Sequence, residues 1–163
     1  MAVLGRRVVN PLEGLLRQGL TPERLAFSLA LGAALGLFPV IGATTLLCAG
    51  AGAWFRLNHP ALQLANYLVY PVQLPLILVF VRLGEGLLGA SPVPFSVSEL
   101  LAAFRADPFV FLRQFGATGL HGVLGWFLAA PALAALLYAA CLFPLRAAAA
   151  RLALRPIAGA EVA

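Results

Sequence analysis

The sequence contains no lysine: its eleven basic residues are all arginine, set against six acids and two histidines in 163 residues. Charged residues make up 10% of the chain, where a soluble domain carries roughly 25%. The arginines are spread along the chain and are not clustered with aromatics, which argues against a nucleic-acid surface. Residues 25–55, 57–81 and 114–145 hold no charged side chain, and each run exceeds the roughly 20 residues needed to cross a bilayer. With no carboxylate inside those runs, the usual proton and ion relays have no carrier. Cysteine is equally scarce. Cys48 and Cys141 stand singly in apolar sequence, so neither a disulfide framework nor a metal-ligand spacing exists, and no cofactor or metal is expected. No Gly-x-Ser-x-Gly elbow occurs either, and the chain does not read as an enzyme.

What is present is apolar: 62% of residues are hydrophobic. That composition implies an integral membrane protein, and the length implies one membrane domain over 1–163. Arg6 and Arg7 are followed by a stretch with polar interruptions up to Arg24, which matches neither a cleaved signal peptide nor a twin-arginine signal.

Proline after Asn10, Thr21, His59 and Asp107 marks four helix starts, because proline lacks a donor that would be unpaired in the first turn anyway. Ser96 with Glu99, and Asn10 with Glu13, have capping-box spacing. A helix over 11–18 is too short to span and suits the membrane surface, as does one after Ser96 with Val97, Leu100, Leu101 and Phe104 on one face. As one straight helix, 25–55 would be about 46 Å long, well over the roughly 30 Å hydrocarbon core. Pro39 and Gly42 divide it into two halves that are each too short to span. The expected fold is therefore all-α and polytopic, with a re-entrant helical hairpin, broken helices and short interfacial helices. A crossing at 60–81 and a C-terminal transmembrane helix at about 108–145 complete it. Arg82 and Glu85, three residues apart, read as an exposed interfacial pair of little energetic weight. Gly32 with Gly36, Gly50 with Gly52, and the series Gly116, Gly119, Gly122 and Gly125 read as surfaces of close helix packing.

The densest polar pattern is HPALQLANYLVYPVQLP, where His59, Gln63, Asn66, Tyr70 and Gln73 recur at helical spacing on one face. Pro71 has no donor for the Tyr67 carbonyl, so the helix should break there, and Pro75 should extend the disturbance. Thr44 and Thr45 follow the other break at Pro39 and Gly42. The candidate polar site is therefore Thr44, Thr45, Gln63, Asn66, Tyr70 and Gln73, with the break at 70–75 meeting the hairpin tip and the glycine-lined last helix closing over both. His121 reads as a hydrogen-bonded histidine or a ligand.

Gly36, Phe38, Pro39, Gly42, then Arg56, Leu57, Asn58, Pro60 and Pro71 form a pattern that resembles the bacterial membrane proteins grouped as domain of unknown function 2062. The resemblance covers a core at about 21–84. Tyr70 stands where that family usually has Asn, and Gln73 where Thr is common. What the resemblance implies is an inner-membrane setting near envelope-lipid chemistry, with a membrane glycosyltransferase as a partner.

Two functions fit these residues. In one, broken helices hold an envelope lipid or small anionic solute and a homo-oligomer moves it. In the other, the polar residues bond neighbouring helices and the protein is a non-transporting scaffold or accessory subunit of an envelope-lipid or glycosyltransferase system. Arginine bias places both termini on the cytoplasmic side.

Overall fold

The computed structural model describes residues 20–40, 42–90 and 96–153, and its regular structure is six helices and no strand among those residues. They are α1 (Pro22–Gly36), α2 (Thr44–Trp54), α3 (His59–Leu68), α4 (Tyr70–Leu88), α5 (Val97–Ala106) and α6 (Pro108–Ala153). The short helix expected at 11–18 lies outside the described residues. α4 and the Thr118–Ala153 part of α6 are long and apolar enough to cross a membrane.

Helix ends follow the local chemistry. The Thr21 hydroxyl accepts from the Arg24 amide at 3.3 Å, and Asp107 Oδ1 accepts from the amides of Phe109 and Val110 at 2.8 and 3.1 Å. Ser96 and Glu99 form the complete capping box. α3 starts at His59, and its cap is Asn58, whose side chain accepts from Ala61 at 2.9 Å. Pro60 therefore sits inside the first turn, where its missing donor is harmless.

The chain turns between α1 and α2 where Pro39 and Gly42 predict it. Gly42 has φ +87, a left-handed conformation that glycine adopts without steric penalty. The Cys48 thiol lies 3.8 Å from the Gly32 carbonyl, so α2 runs back along α1 as the second arm of a helical hairpin. α3 then reverses again. Ser28 meets Asn58, Gly32 meets Leu62 and Gly36 meets Asn66, each pair one helical turn beyond the last, so α1 and α3 run parallel in register. A Cβ on Gly32 would meet the Leu62 carbonyl carbon at 2.9 Å. Only glycine permits that approach, as the small-residue spacing implied. Gly52 likewise faces the His59 ring, whereas Gly50 has no described atom within 4 Å of its Cβ direction and does not serve the packing expected of it.

α6 runs antiparallel to α4 and to α1, and its packing on α4 is the most extensive in the fold. Gly125 lies on the Phe80 carbonyl and Gly84 on the His121 carbonyl. One apolar cluster joins Leu25, Ala26, Leu29 and Ala33 to Ala61, Ala65 and Leu145; a second joins Leu37, Phe80 and Trp126. Small residues dominate the first cluster, so the fold is held by close backbone approach as much as by large side chains.

Two expectations change. Pro75 lies inside α4, which runs on without interruption, so the disturbance is confined to the turn before Pro71. Glu85 is buried, with 2% of its side chain exposed, and the Arg82–Glu85 pair is therefore no simple surface ion pair.

Candidate functional site

The break between α3 and α4 falls at Val69, which ends one helix and starts the next. Its cause is Pro71: with no amide to offer Tyr67, the ladder cannot continue, and the amides of Val72 and Gln73 bond to the Val69 carbonyl at 2.9 and 3.0 Å instead. Proline then occupies the first turn of α4.

This break docks on the hairpin tip. Gln73 Nε2 donates to the Phe38 carbonyl at 2.7 Å, and Gln63 Nε2 donates to the Thr45 carbonyl at 3.2 Å. One glutamine lies on each side of the break, and the two carbonyls lie on each side of the tip. Phe38 follows the end of α1, where carbonyls lack partners within the helix, and a glutamine side chain is long enough to supply one. Asn66 Nδ2 donates to Gln63 Oε1 at 3.2 Å and so orients the outer glutamine. Asn66 Oδ1 is buried and accepts no hydrogen bond. It lies 2.9 Å from where a Gly36 Cβ would stand, against glycine Cα–H groups that make a weak contact with oxygen.

α6 covers the junction. Trp126 Nε1 donates to the Ala34 carbonyl at 3.0 Å, and its indole meets the Phe38 ring edge-on at 5.0 Å. Pro39 Cβ lies 3.5 Å from the Cβ direction of Gly122. The expected meeting of the two breaks under the glycine-bearing helix is present.

The six candidate residues do not share one face. Gln63, Asn66 and Gln73 come together at the junction, and Thr45 joins them through its backbone carbonyl. Thr44 is buried in the first turn of α2, whose capping residue Ala43 makes no side-chain cap bond. Tyr70 is half-exposed on the outer surface, because the break turns it away from the stripe. His59 is exposed and packs on Gly52. His121 Nδ1 is buried with no hydrogen-bond partner.

Residues 6–152 match the bacterial family described as "Uncharacterized protein conserved in bacteria", DUF2062. The chain belongs to this family. No curated protein and no solved structure matches it. The DUF2062 match extends well past the 21–84 core recognised in the sequence and takes in α4, α5 and nearly all of α6. Hairpin, broken helix and covering helix are thus all parts of the DUF2062 region, and the junction lies wholly within it.

The residue that sequence reasoning missed is Glu85. Arg82 Nη1 bonds Glu85 Oε2 at 2.8 Å, and the carboxylate lies within Tyr70–Leu88, one of the two apolar helices. The neighbouring Gly84 was the available signal, since it marks where α6 passes closest to this part of α4, at the His121 carbonyl. The chain therefore does carry an acid inside an apolar helix, contrary to the sequence expectation, and it is paired with a cation.

Proposed function

We propose that this protein is a non-catalytic scaffold or accessory subunit embedded in the bacterial inner membrane. The observation that carries this reading is the internal use of the polar stripe. Gln73 donates to the Phe38 carbonyl, Gln63 to the Thr45 carbonyl and Asn66 to Gln63, so these side-chain amides are engaged in holding the fold together.

A membrane setting is supported by where apolar surface lies. Only 6% of the apolar stretch in Thr118–Ala153 is buried, whereas a core helix of a soluble domain would be mostly covered. Phe127, Leu128, Leu136 and Phe143 point outward, as lipid-facing side chains do. α1 and α2, of 15 and 11 residues, are about 22 and 16 Å long. Neither spans a roughly 30 Å core, and their antiparallel course supports a re-entrant hairpin whose tip is covered by α4 and α6. Irregular backbone at membrane depth needs such cover. α3 with α4 then forms a broken crossing and α6 the return, with both termini cytoplasmic. Cysteine at position 91, in a variant whose native cysteines are serine, is expected to react with an impermeant reagent from the periplasm; labelling from the cytoplasm alone overturns this topology.

The family resemblance supports a membrane glycosyltransferase of envelope-lipid assembly as the partner. A second reading, handling of an envelope lipid or small anionic solute by a homo-oligomer, is favoured by the uncapped start of α2 beside exposed Thr45. Helix N-termini favour anions. Flux of headgroup-labelled lipid in proteoliposomes separates the two. The scaffold reading expects flux equal to that of protein-free vesicles, and flux that Asn66→Leu with Tyr70→Phe abolishes would replace it with the carrier reading.

A further inference from the structure

The end of the molecule far from Glu85 gathers arginine. The Ser28 hydroxyl donates to the Arg24 carbonyl at 2.9 Å and accepts from the Asn58 amide at 3.3 Å, which pins the α2–α3 turn to the start of α1. Phe27 meets Phe55 edge-on at 6.3 Å and Tyr138 at 6.5 Å. Arg146 Nε donates to Glu23 Oε1 at 3.0 Å. These contacts bring Arg24, Arg56 and Arg146 to one end, with Arg151 about 7 Å further along α6. Among the described residues, four arginines there face one carboxylate, Glu23. The opposite end holds Arg82, Arg105 and Arg113 with Glu85, Glu99 and Asp107, so its charges balance.

Two further features single out the turn at residues 54–58. Trp54 is 84% exposed and Phe55 53% exposed, side by side with Arg56. Arg56 has φ 51, a left-handed conformation that favours glycine. A strained arginine at the tip of a turn, beside two outward aromatics, is the kind of outlier that accompanies a function of its side chain.

We propose that this end is a recognition surface for the anionic phospholipid headgroups of one leaflet. Arg24, Arg56 and Arg151 take headgroup phosphates, Arg146 is shared with Glu23, and Trp54 and Phe55 lie at the boundary between headgroups and acyl chains. Aromatic side chains favour that level and arginine favours the anionic leaflet. A nucleic-acid partner would leave Trp54 and Phe55 in water beside a charge-free apolar surface, which the lipid surface covers. The proposal rests on the membrane setting argued above, and it holds for a scaffold and a carrier alike.

The test uses the chain's two tryptophans, Trp54 and Trp126, the second 6% exposed. The full chain is reconstituted in phosphatidylcholine vesicles containing a small fraction of acyl-brominated phosphatidylglycerol or acyl-brominated phosphatidylcholine. Trp54 fluorescence is read as the difference between the wild type and Trp54→Phe. Brominated phosphatidylglycerol is expected to quench Trp54 several-fold more effectively, by about fivefold per engaged arginine at low salt. Arg24→Gln, Arg56→Gln and Arg151→Gln together remove the excess, whereas Arg56→Lys alone keeps it. Equal quenching by both lipids in the wild type, or an excess that survives the triple glutamine variant, overturns the proposal. Inorganic phosphate that abolishes the excess, at an ionic strength matched with chloride, overturns it in favour of a free-phosphate site. Failure of either lipid to quench Trp54 overturns the membrane placement on which the proposal rests.

Discussion

Gly116, Gly119, Gly122 and Gly125 have one spacing and one sequence appearance, yet the structure assigns them opposite effects on alanine substitution. An alanine Cβ at 125 would meet the Phe80 carbonyl carbon at 2.9 Å and the Gly84 amide nitrogen at 3.0 Å. Carbon atoms prefer about 3.5–4.0 Å, so α4 and α6 must separate by about 0.5–1 Å, and backbone atoms cannot turn aside as a side chain could. Overpacking of this kind costs about 1–3 kcal/mol. The helix gains about 0.5–1 kcal/mol from replacing glycine, which leaves Gly125→Ala about 1–2 kcal/mol less stable. At 116 and 119 no described atom lies within 4 Å, so only the gain remains and each variant is about 0.5–1 kcal/mol more stable. At 122 the neighbour is Val81 Cγ2 at 3.1 Å, a side chain that can shift, and the two effects roughly cancel. Reversible unfolding in mixed micelles, followed by the loss of helical circular dichroism, measures all four. Four shifts of the same sign, or a Gly125→Ala variant within about 0.5 kcal/mol of the wild type, would refute the packing argument.

Gln73→Leu removes the bond to the Phe38 carbonyl and is expected to lower stability by about 0.6–2 kcal/mol, the range for interhelical side-chain bonds in lipid; the same unfolding assay reads it, and an unchanged midpoint would mean that the tip is held by packing alone. Arg82→Met removes a cation 2.8 Å from the buried Glu85 carboxylate. Because the arginine end is half-exposed and screened, the expected loss is about 1–3 kcal/mol, and adding Glu85→Gln should restore part of it. The Glu23 carboxyl is held below its ordinary value of 4.5, first by a hydrogen bond from its own backbone amide at the start of α1 and then by Arg146. A depressed acid contributes stability above its unfolded pKa and loses it as pH falls through the folded value. The wild type should therefore lose more stability than Glu23→Gln on acidification from neutrality to below the ordinary carboxylate range, and identical pH profiles would show that the pair adds nothing.

Helix starts were legible because they are local: Thr21, Ser96 and Asp107 each bond an amide two or three residues away. The hairpin turn was legible for the same reason, since Pro39 and Gly42 restrict the backbone at their own positions. The docking of Gln73 on Phe38 could be anticipated because two helix breaks in apolar sequence must each find partners for their freed backbone groups. Tyr70 shows where this reasoning stops. Its helical spacing from Asn66 places it on the stripe only if the helix continues, and the break at Val69 removes that condition. Glu85 failed for another reason, because burial near a helix end depends on how closely a second helix passes, and that depends on Gly84 and Gly125 across the interface.

The fate of the polar stripe changes where function should be sought. The end of α1 leaves carbonyls without partners in the helix, and Gln73 bonds one of them at Phe38. Gln63 adds a bond to the Thr45 carbonyl in the first turn of α2, so both glutamines are engaged within the fold. Groups that the fold does not consume are then the informative ones. Arg24, Arg56 and Arg151 are exposed. Arg151 stands in the last turn of α6, where a cation suits the helix dipole, whereas no helix end or turn calls for an arginine at 24 or 56. Position 56 even holds one in a conformation that suits glycine. A side chain held against its own backbone preference, at an end where four arginines meet one acid, is the group on which the proposed anionic surface depends, whereas the glutamines point inward to the fold.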